Sequence, residues 1–392
     1  MFNNYLNGSN EYLGRLHLIV SSLLSFGLIT LYSISNDPLS LNSTFSRQII
    51  FIIFSFFVFL VIQRMNVKTI HDNSTLIYLG SFFLCFIPFF LPPVENTFRW
   101  IDLGFFYIQP GEYLKCATII VIAKYLSNHQ LEVKESYIII IPLAIAILSA
   151  FLVLNQPDLG TAVIIFAPVL PMLLWAGVNT FTIFLLIAPL LTVLAASNFM
   201  IFNIWAVIMF IIFMIFQGSL LKRIVLYFAN IFTGLLFPFF WNDFLNPDLD
   251  PMGSSYHIIQ SITAIGSGGL FGKGWGQGSQ TQLKFLPVQE SDFILSVIAE
   301  EFGFFGISII MILFFMLIKT LLDLAFKATD YFSSLVIIGL TSIMFSHIFV
   351  NSAMTIGLMP VKGLPTPFVS AGGSFMLLCF IILSLVSSLS KN

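Results

Sequence analysis

The chain has 392 residues, of which 58% are hydrophobic and 9% charged, and its mean hydropathy is +0.99. Soluble domains carry roughly 25% charged residues, so the composition excludes one and points to a polytopic membrane protein. The net charge of −2 leaves no basic footprint for nucleic acid, and no soluble stretch is large enough to hold a nucleotide.

The apolar runs, about 17–27 residues long, can cross a hydrocarbon core of about 30 Å as helices; barrel strands would be shorter and would alternate. In chain order they predict twelve spans, near 15–35, 46–64, 75–91, 112–128, 136–154, 159–177, 180–197, 199–217, 223–241, 293–320, 332–356 and 368–388. The first follows a polar, Asn-rich leader and precedes no small-residue cleavage site, so it is read as a retained span. With both termini cytoplasmic, ten of the 16 Lys and Arg residues fall on the inner side, as the positive-inside rule requires. The inner loops are short. The outer stretches 92–111 and 242–292 are long and hold charge, Trp, Gly and Pro. Residues 1–392 are therefore expected to form one transmembrane domain, with 242–292 as its functional extracytoplasmic loop. Cys85, Cys116 and Cys379 lie in apolar runs without metal-ligand spacing.

Four stretches carry polar groups that a membrane helix does not keep cheaply. In FRWIDLGFFYIQPGEYLKCA, residues 98–117, Pro110 suits the first turn of a helix with Gln109 at the cap position. Glu112 and Lys115 then share a helix face. They form either a self-satisfied ion pair or, with Arg99 and Trp100, a site for a phosphate headgroup at the membrane surface. In NQPDLGTA, residues 155–162, Asp158 reads as a turn and helix cap on the outer side.

The segment from Asn246 to Asp292 is glycine-rich but fits neither G-x-x-x-x-G-K-[ST] nor G-x-G-x-x-G, so it is not a nucleotide loop. Lys273 and Lys284 bring positive charge to it. Asp292 follows at the mouth of the next span, as a helix cap or as a working carboxylate. Glu300 and Glu301 follow about 12 Å deeper along the helix, where ionisable groups are costly and satisfy other polar groups of the fold. Residues 351–375 hold three prolines and four glycines. Such non-helical backbone is tolerated at membrane depth only inside protein or along a cavity, so a re-entrant element is expected there. His347 and Asn351, just before it, read as interhelical hydrogen-bond partners.

RWIDLGFFYIQPGEYLK, NQPDLGTA, the string from Asp250 to Glu301 and GLMPVKGLPTPFVSAGGS resemble, in order, the motifs of the SEDS family of shape, elongation, division and sporulation proteins, more its rod-elongation branch than its division branch. The resemblance covers roughly residues 98–375 and rests on four ordered motifs. It implies an all-α membrane bundle, usually of ten spans, acting as a peptidoglycan glycosyltransferase. Such an enzyme polymerises lipid II into β-1,4-linked glycan at the outer face of the bacterial cytoplasmic membrane and releases polyprenyl pyrophosphate.

The implied partners are lipid II, nascent glycan, a class B penicillin-binding protein and other elongation-complex membrane proteins, with no nucleic acid. The family's catalytic aspartate, in its (H)TDFIF motif, corresponds to Asp292 in SDFIL. Arg99, Trp100, Gln109, Glu112, Lys115, Asp158, Lys273 and Gln282 are then the candidate substrate-binding residues. The sequence assigns no cofactor with certainty; Arg99, Lys115, Lys273 or a divalent cation, Mg²⁺ or Mn²⁺, could neutralise the leaving pyrophosphate. Gly111, Lys362, Thr366, Ala371 and Phe375 depart from the usual pattern. A lipid II flippase, or another transporter of polyprenyl-linked substrates, would also want charges inside a bundle, but it should decorate both faces.

Overall fold

The computed structural model describes residues 2–391 except 36, 95–96, 105, 133–135, 197–198, 216–219, 237–253, 360 and 362. Helices α1 (Phe2–Ile34), α2 (Thr44–Ile62) and α3 (Val67–Leu84) come first, followed by a hairpin of β1 (Ile101–Asp102) and β2 (Tyr107–Ile108). Then come α4 (Pro110–Asn128), α5 (Ile140–Leu154), α6 (Leu159–Phe166), α7 (Val169–Trp175), α8 (Thr180–Ala195), α9 (Phe199–Ile215) and α10 (Leu220–Leu236). The chain continues with α11 (Ser254–Gly268), the single turn α12 (Ser279–Gln282), α13 (Ile294–Lys327), α14 (Tyr331–Thr355) and α15 (Gly373–Leu389).

Over its described residues each expected span meets a helix, save that 159–177 is interrupted between α6 and α7 at Pro168, which has no N–H to donate to the preceding turn. Among the described residues five helical stretches are long and apolar enough to cross a membrane: Glu11–Ile34, Thr44–Ile62, Val67–Phe90, Ile294–Lys327 and Tyr331–Thr355. The other apolar helices are shorter. One expectation changes: the 242–292 stretch is not simply a loop, because it contains α11. Tyr256, His257, Gln260, Ser261 and Thr263 dilute the isoleucines of that helix and hide it from a hydropathy window. Residues 242–253 lie outside the described residues.

The chain forms two compact units. In the first, residues 1–176 and 257–392, α14 is the central helix, with 78% of its apolar window buried against 17% for α2. It packs on α13, α4 and α7, while α15 packs on α2 and α1 on α13. Helix α13 breaks at Gly303, whose φ of 67° and ψ of −161° suit glycine alone. The glycine-rich loop repairs the break. Lys273 and Gly274 N–H groups donate to the Glu300 and Glu301 carbonyls (2.9 and 3.1 Å), and Phe304 N–H donates to the Gly269 carbonyl (2.9 Å). A Cβ on Gly272 would run into the Glu301 carbonyl, so the glycines serve close backbone packing.

The second unit, residues 177–256, holds α8, α9 and α10 around Ala188, Met209 and Phe213. Buried Thr192 joins all three helices, touching the Asn230 side chain and accepting from Trp205 Nε1 at 2.8 Å. Such interhelical polar contacts stand in for the hydrophobic drive that lipid removes. The sequence predicts twelve spans against the usual ten of the family it resembles, and the two additional ones fall between Trp175 and Trp241, largely in this unit; residues 197–198 and 216–219, between its helices, lie outside the described residues.

Candidate active site

The β1–β2 hairpin registers Ile101 with Ile108 and Asp102 with Tyr107. It carries Arg99 and Trp100 at its entrance and delivers the chain to Gln109 and the first turn of α4. Arg99 sits over the Trp100 ring (5.5 Å) and Trp100 meets Tyr107 edge-on (6.3 Å). Ser374 fixes the exit of the hairpin, donating to the Tyr107 carbonyl (2.8 Å) and accepting from Gln109 N–H (3.1 Å).

Gln109 occupies the N-cap position of α4 but makes no side-chain cap. Its amide instead donates to Asp158 (2.6 Å), whose other oxygen caps α6 through Thr161 N–H (3.0 Å). Behind Glu112, buried Lys115 donates to that carboxylate (2.8 Å) and lies 3.0 Å from His347 Nε2. The His347 Nδ1–H donates to the Pro365 carbonyl (3.1 Å), which leaves Nε2 as the acceptor for the Lys115 ammonium.

Asp292 is 9% exposed. Phe293 holds the N-cap position of α13 and the helix has no side-chain cap, so Asp292 stands one residue before it. Ser291 Oγ donates to its carboxylate (3.1 Å). Burial raises its pKa above the ordinary carboxylate value, against the opposing pull of the Ser291 hydrogen bond and the Arg99 charge.

The backbone around Asp292 is braced by the irregular segment between α14 and α15, which is largely buried over residues 364–371. Asn351, fully buried, donates to the Asp292 carbonyl (2.8 Å) and to the Leu364 carbonyl (2.7 Å). Its amide oxygen accepts from Thr366 Oγ1 (3.1 Å). Ser370 donates to the Ser291 carbonyl (2.6 Å) while accepting from Thr366 N–H (2.8 Å). Ala371 N–H donates to the Glu290 carbonyl (2.9 Å), and the Gln48 amide ties α2 to Ser370 and Gly372 (3.2 and 3.1 Å).

Asp292, Arg99, Trp100, Gln109 and Glu112 line one cavity of about 510 Å³, inside the range of small-ligand sites. Lys115 and Asp158 back it through Glu112 and Gln109. Lys273 and Gln282 are elsewhere. Lys273 pairs with Glu300 (2.8 Å) and Ser279 (2.6 Å), and Gln282 donates to the Ser33 carbonyl (2.9 Å). Glu300 also accepts from the Gln280 and Thr281 N–H groups (3.0 Å each), and Glu301 accepts from Ser33. The two deep glutamates thus anchor the glycine-rich loop to α13 and α1.

Arg47, Phe51, Tyr107 and Ser374 also line the cavity and were not foreseen; the signal for Arg47 was a cation opening an apolar span. Of the departures from the family pattern, Ala371 and Phe375 line the cavity, Thr366 joins the brace, and Gly111 packs on Thr161 and Val153. Lys362 lies outside the described residues. Among the described residues no three His, Cys, Asp or Glu side chains converge as a metal cluster.

Fold and site together define a polytopic α-helical membrane protein with a buried carboxylate in a cation-bearing cavity. The family model described as "Cell cycle protein", covering FtsW, RodA and SpoVE, matches residues 14–392, and the chain belongs to that family. It is 31% identical to stage V sporulation protein E of Bacillus subtilis, over 95% of each chain. It is 30% identical to the peptidoglycan glycosyltransferase MrdB of Escherichia coli, over 96% of this chain and 92% of that one. The rod shape determining protein RodA of Thermus thermophilus shares the fold, with a TM-score of 0.66 and 20% identity over 96% of this chain and 95% of that one. A chain from a peptidoglycan synthase complex, solved for its coordination of polymerization and crosslinking, does so with a TM-score of 0.70 and 21% identity over 96% of each chain.

Proposed function

We propose that this membrane protein is a peptidoglycan glycosyltransferase that polymerises lipid II at the outer face of the cytoplasmic membrane, with Asp292 as general base. The observation that carries the reading is the cavity that sets a buried carboxylate among Arg99, Arg47, Trp100 and Tyr107. The acceptor's 4-hydroxyl attacks C1 of the donor glycan's reducing-end sugar. As the new C1–O bond forms, the bond from C1 to the pyrophosphate oxygen breaks and Asp292 takes the hydroxyl proton. In-line attack converts the α-linked donor to a β-1,4 linkage.

Arg99 can direct several N–H groups at the leaving pyrophosphate, where charge develops as the bond breaks. A Mg²⁺ or Mn²⁺ ion, if bound there, would neutralise the same charge, with Asp292 and Glu112 as the carboxylates of that cavity. The fold shared with a peptidoglycan synthase complex supports a crosslinking partner, which we assign to a class B penicillin-binding protein.

The test is polymerisation of labelled lipid II by the purified chain with that partner, across a Mg²⁺ and Mn²⁺ series. Wild-type protein that makes no polymer but moves labelled lipid II across a vesicle membrane would replace the enzyme with a transporter. Orientation has its own check. A cysteine at exposed Leu41 is expected to react with an impermeant thiol reagent from outside, and one at exposed Leu131 only after the inner face is opened. The reverse pattern would invert the topology.

The brace also makes a prediction. Asn351→Asp keeps the size of the side chain but loses the amide that donates to Asp292 and Leu364. Small misplacements of a reacting group cost on the order of 10²-fold in rate, so polymerisation should slow by about that factor while lipid II binding persists. A wild-type rate would show that the other contacts alone hold Asp292.

A further inference from the structure

A second cavity of about 510 Å³ abuts the first, with Arg47, Ser291 and Gly372 among the residues of the shared wall. Its lining mixes charges in a way the reaction at Asp292 does not use. Arg47 and Lys284 bring two cations. Glu290 opposes them, its Oε2 accepting from the Thr44 hydroxyl. Gln289, 6% exposed, presents a buried side-chain oxygen with no hydrogen-bond partner among the described residues. Buried polar atoms are almost always satisfied; this oxygen is covered, and the residue that carries it lines a space large enough for a ligand.

The segment that carries these groups is held against its own preference. Lys284 and Val288 have φ of 57° and 52°, a region rarely visited by residues other than glycine and least of all by β-branched ones. Such backbone persists only where its surroundings over-determine it.

A pyrophosphate does not fit this lining, because it offers only acceptors to Gln289 and only negative charge to Glu290. A neutral sugar has no use for two cations. A ligand with carboxylates, N–H donors and an ammonium group satisfies all four side chains, and a peptide with a basic residue is such a ligand. The substrate of a peptidoglycan glycosyltransferase is a sugar bearing a peptide. A pocket sharing a wall with the Asp292 cavity lies where that peptide would extend once its sugar reaches the base.

We propose that this second cavity binds the peptide of the incoming lipid-linked substrate, its carboxylates at Arg47 and Lys284, its ammonium at Glu290 and a backbone N–H at Gln289. The proposal rests on the glycosyltransferase reading and names a further part of the substrate that the protein holds.

The test compares lipid II carrying its full peptide with lipid II trimmed to the first peptide residue, each polymerised by the chain with its transpeptidase partner. Trimming is expected to raise KM for the wild type by about tenfold, which corresponds to 1.4 kcal/mol of binding. In Lys284→Gln/Gln289→Leu the penalty for trimming should fall below about twofold, by the logic of a double-mutant cycle. Glu290→Gln should likewise erase discrimination against lipid II whose peptide amine has been acetylated. An equal trimming penalty in wild type and variants would overturn the peptide site and leave the glycosyltransferase standing. Absence of polymer from wild type with either substrate would remove the glycosyltransferase reading and the peptide site with it.

Discussion

Asp292→Asn is expected to lower glycan polymerisation by on the order of 10²–10⁴-fold, the usual worth of a positioned general base, with lipid II binding and partner assembly retained. Asparagine nearly matches aspartate in shape and keeps the contact with Ser291, but it cannot take a proton from the acceptor hydroxyl. The same residue sets the acid limb of the rate profile. Burial raises the Asp292 pKa and the base must be ionised to act, so activity should fall as pH drops through a value above the ordinary carboxylate range.

Stability runs the other way. A folded-state pKa above the unfolded one means that the folded chain binds this proton more tightly. Asp292 therefore costs stability as pH rises through the window between the two values, and Asp292→Asn should keep or raise the melting temperature at neutral pH. An Asn variant that polymerises at the wild-type rate would remove Asp292 as base. One that is inactive because it melts early would contradict the burial argument.

Much of this site was legible in the chain because membrane composition makes exceptions visible. Asp292, Arg99, Glu112 and Lys115 stand out against long apolar runs, and three of them meet in one cavity with Lys115 directly behind. The brace was harder to see. Asn351, Thr366 and Ser370 are ordinary polar residues in a sequence, and only the folding back of the irregular segment onto Ser291 and Asp292 gives them a common task. Lys273 misled in the opposite direction. A cation in a glycine-rich stretch reads as a partner for a leaving pyrophosphate, yet the break at Gly303 exposes helix carbonyls that the loop must cover, and the Lys273–Glu300 pair seals that repair. Helix α11 was hidden because polar residues interrupt its apolar run; one of them, Ser261, faces α13 and α14, where it meets Ser296 and the Thr355 carbonyl, both at 2.7 Å.

Lys115→Ala carries the second large effect, and it separates two readings of the Glu112–Lys115 pair. The lysine is 1% exposed and the glutamate 4%, so removing the ammonium leaves a carboxylate in the interior with its principal counter-charge gone. Breaking a buried pair from one side costs about 3–5 kcal/mol, and a loss of that size should be seen in detergent-solubilised protein by thermal or denaturant unfolding. His347 adds to it, since its Nε2 loses the donor that satisfied it. Removing both charges is a different change. Glu112→Gln/Lys115→Met leaves neutral side chains of similar volume, and replacement of a buried pair in this way is often close to neutral. Most of the lost stability should therefore return in the double variant. Its polymerisation rate decides the role. Lys115 sits behind Glu112, while Arg99 and Arg47 line the cavity, so the folded double variant is expected to polymerise within about tenfold of wild type. A double variant as stable as wild type yet unable to elongate glycan would show that the Glu112–Lys115 pair itself acts in the reaction, a contribution made in the transition state and not only in the fold.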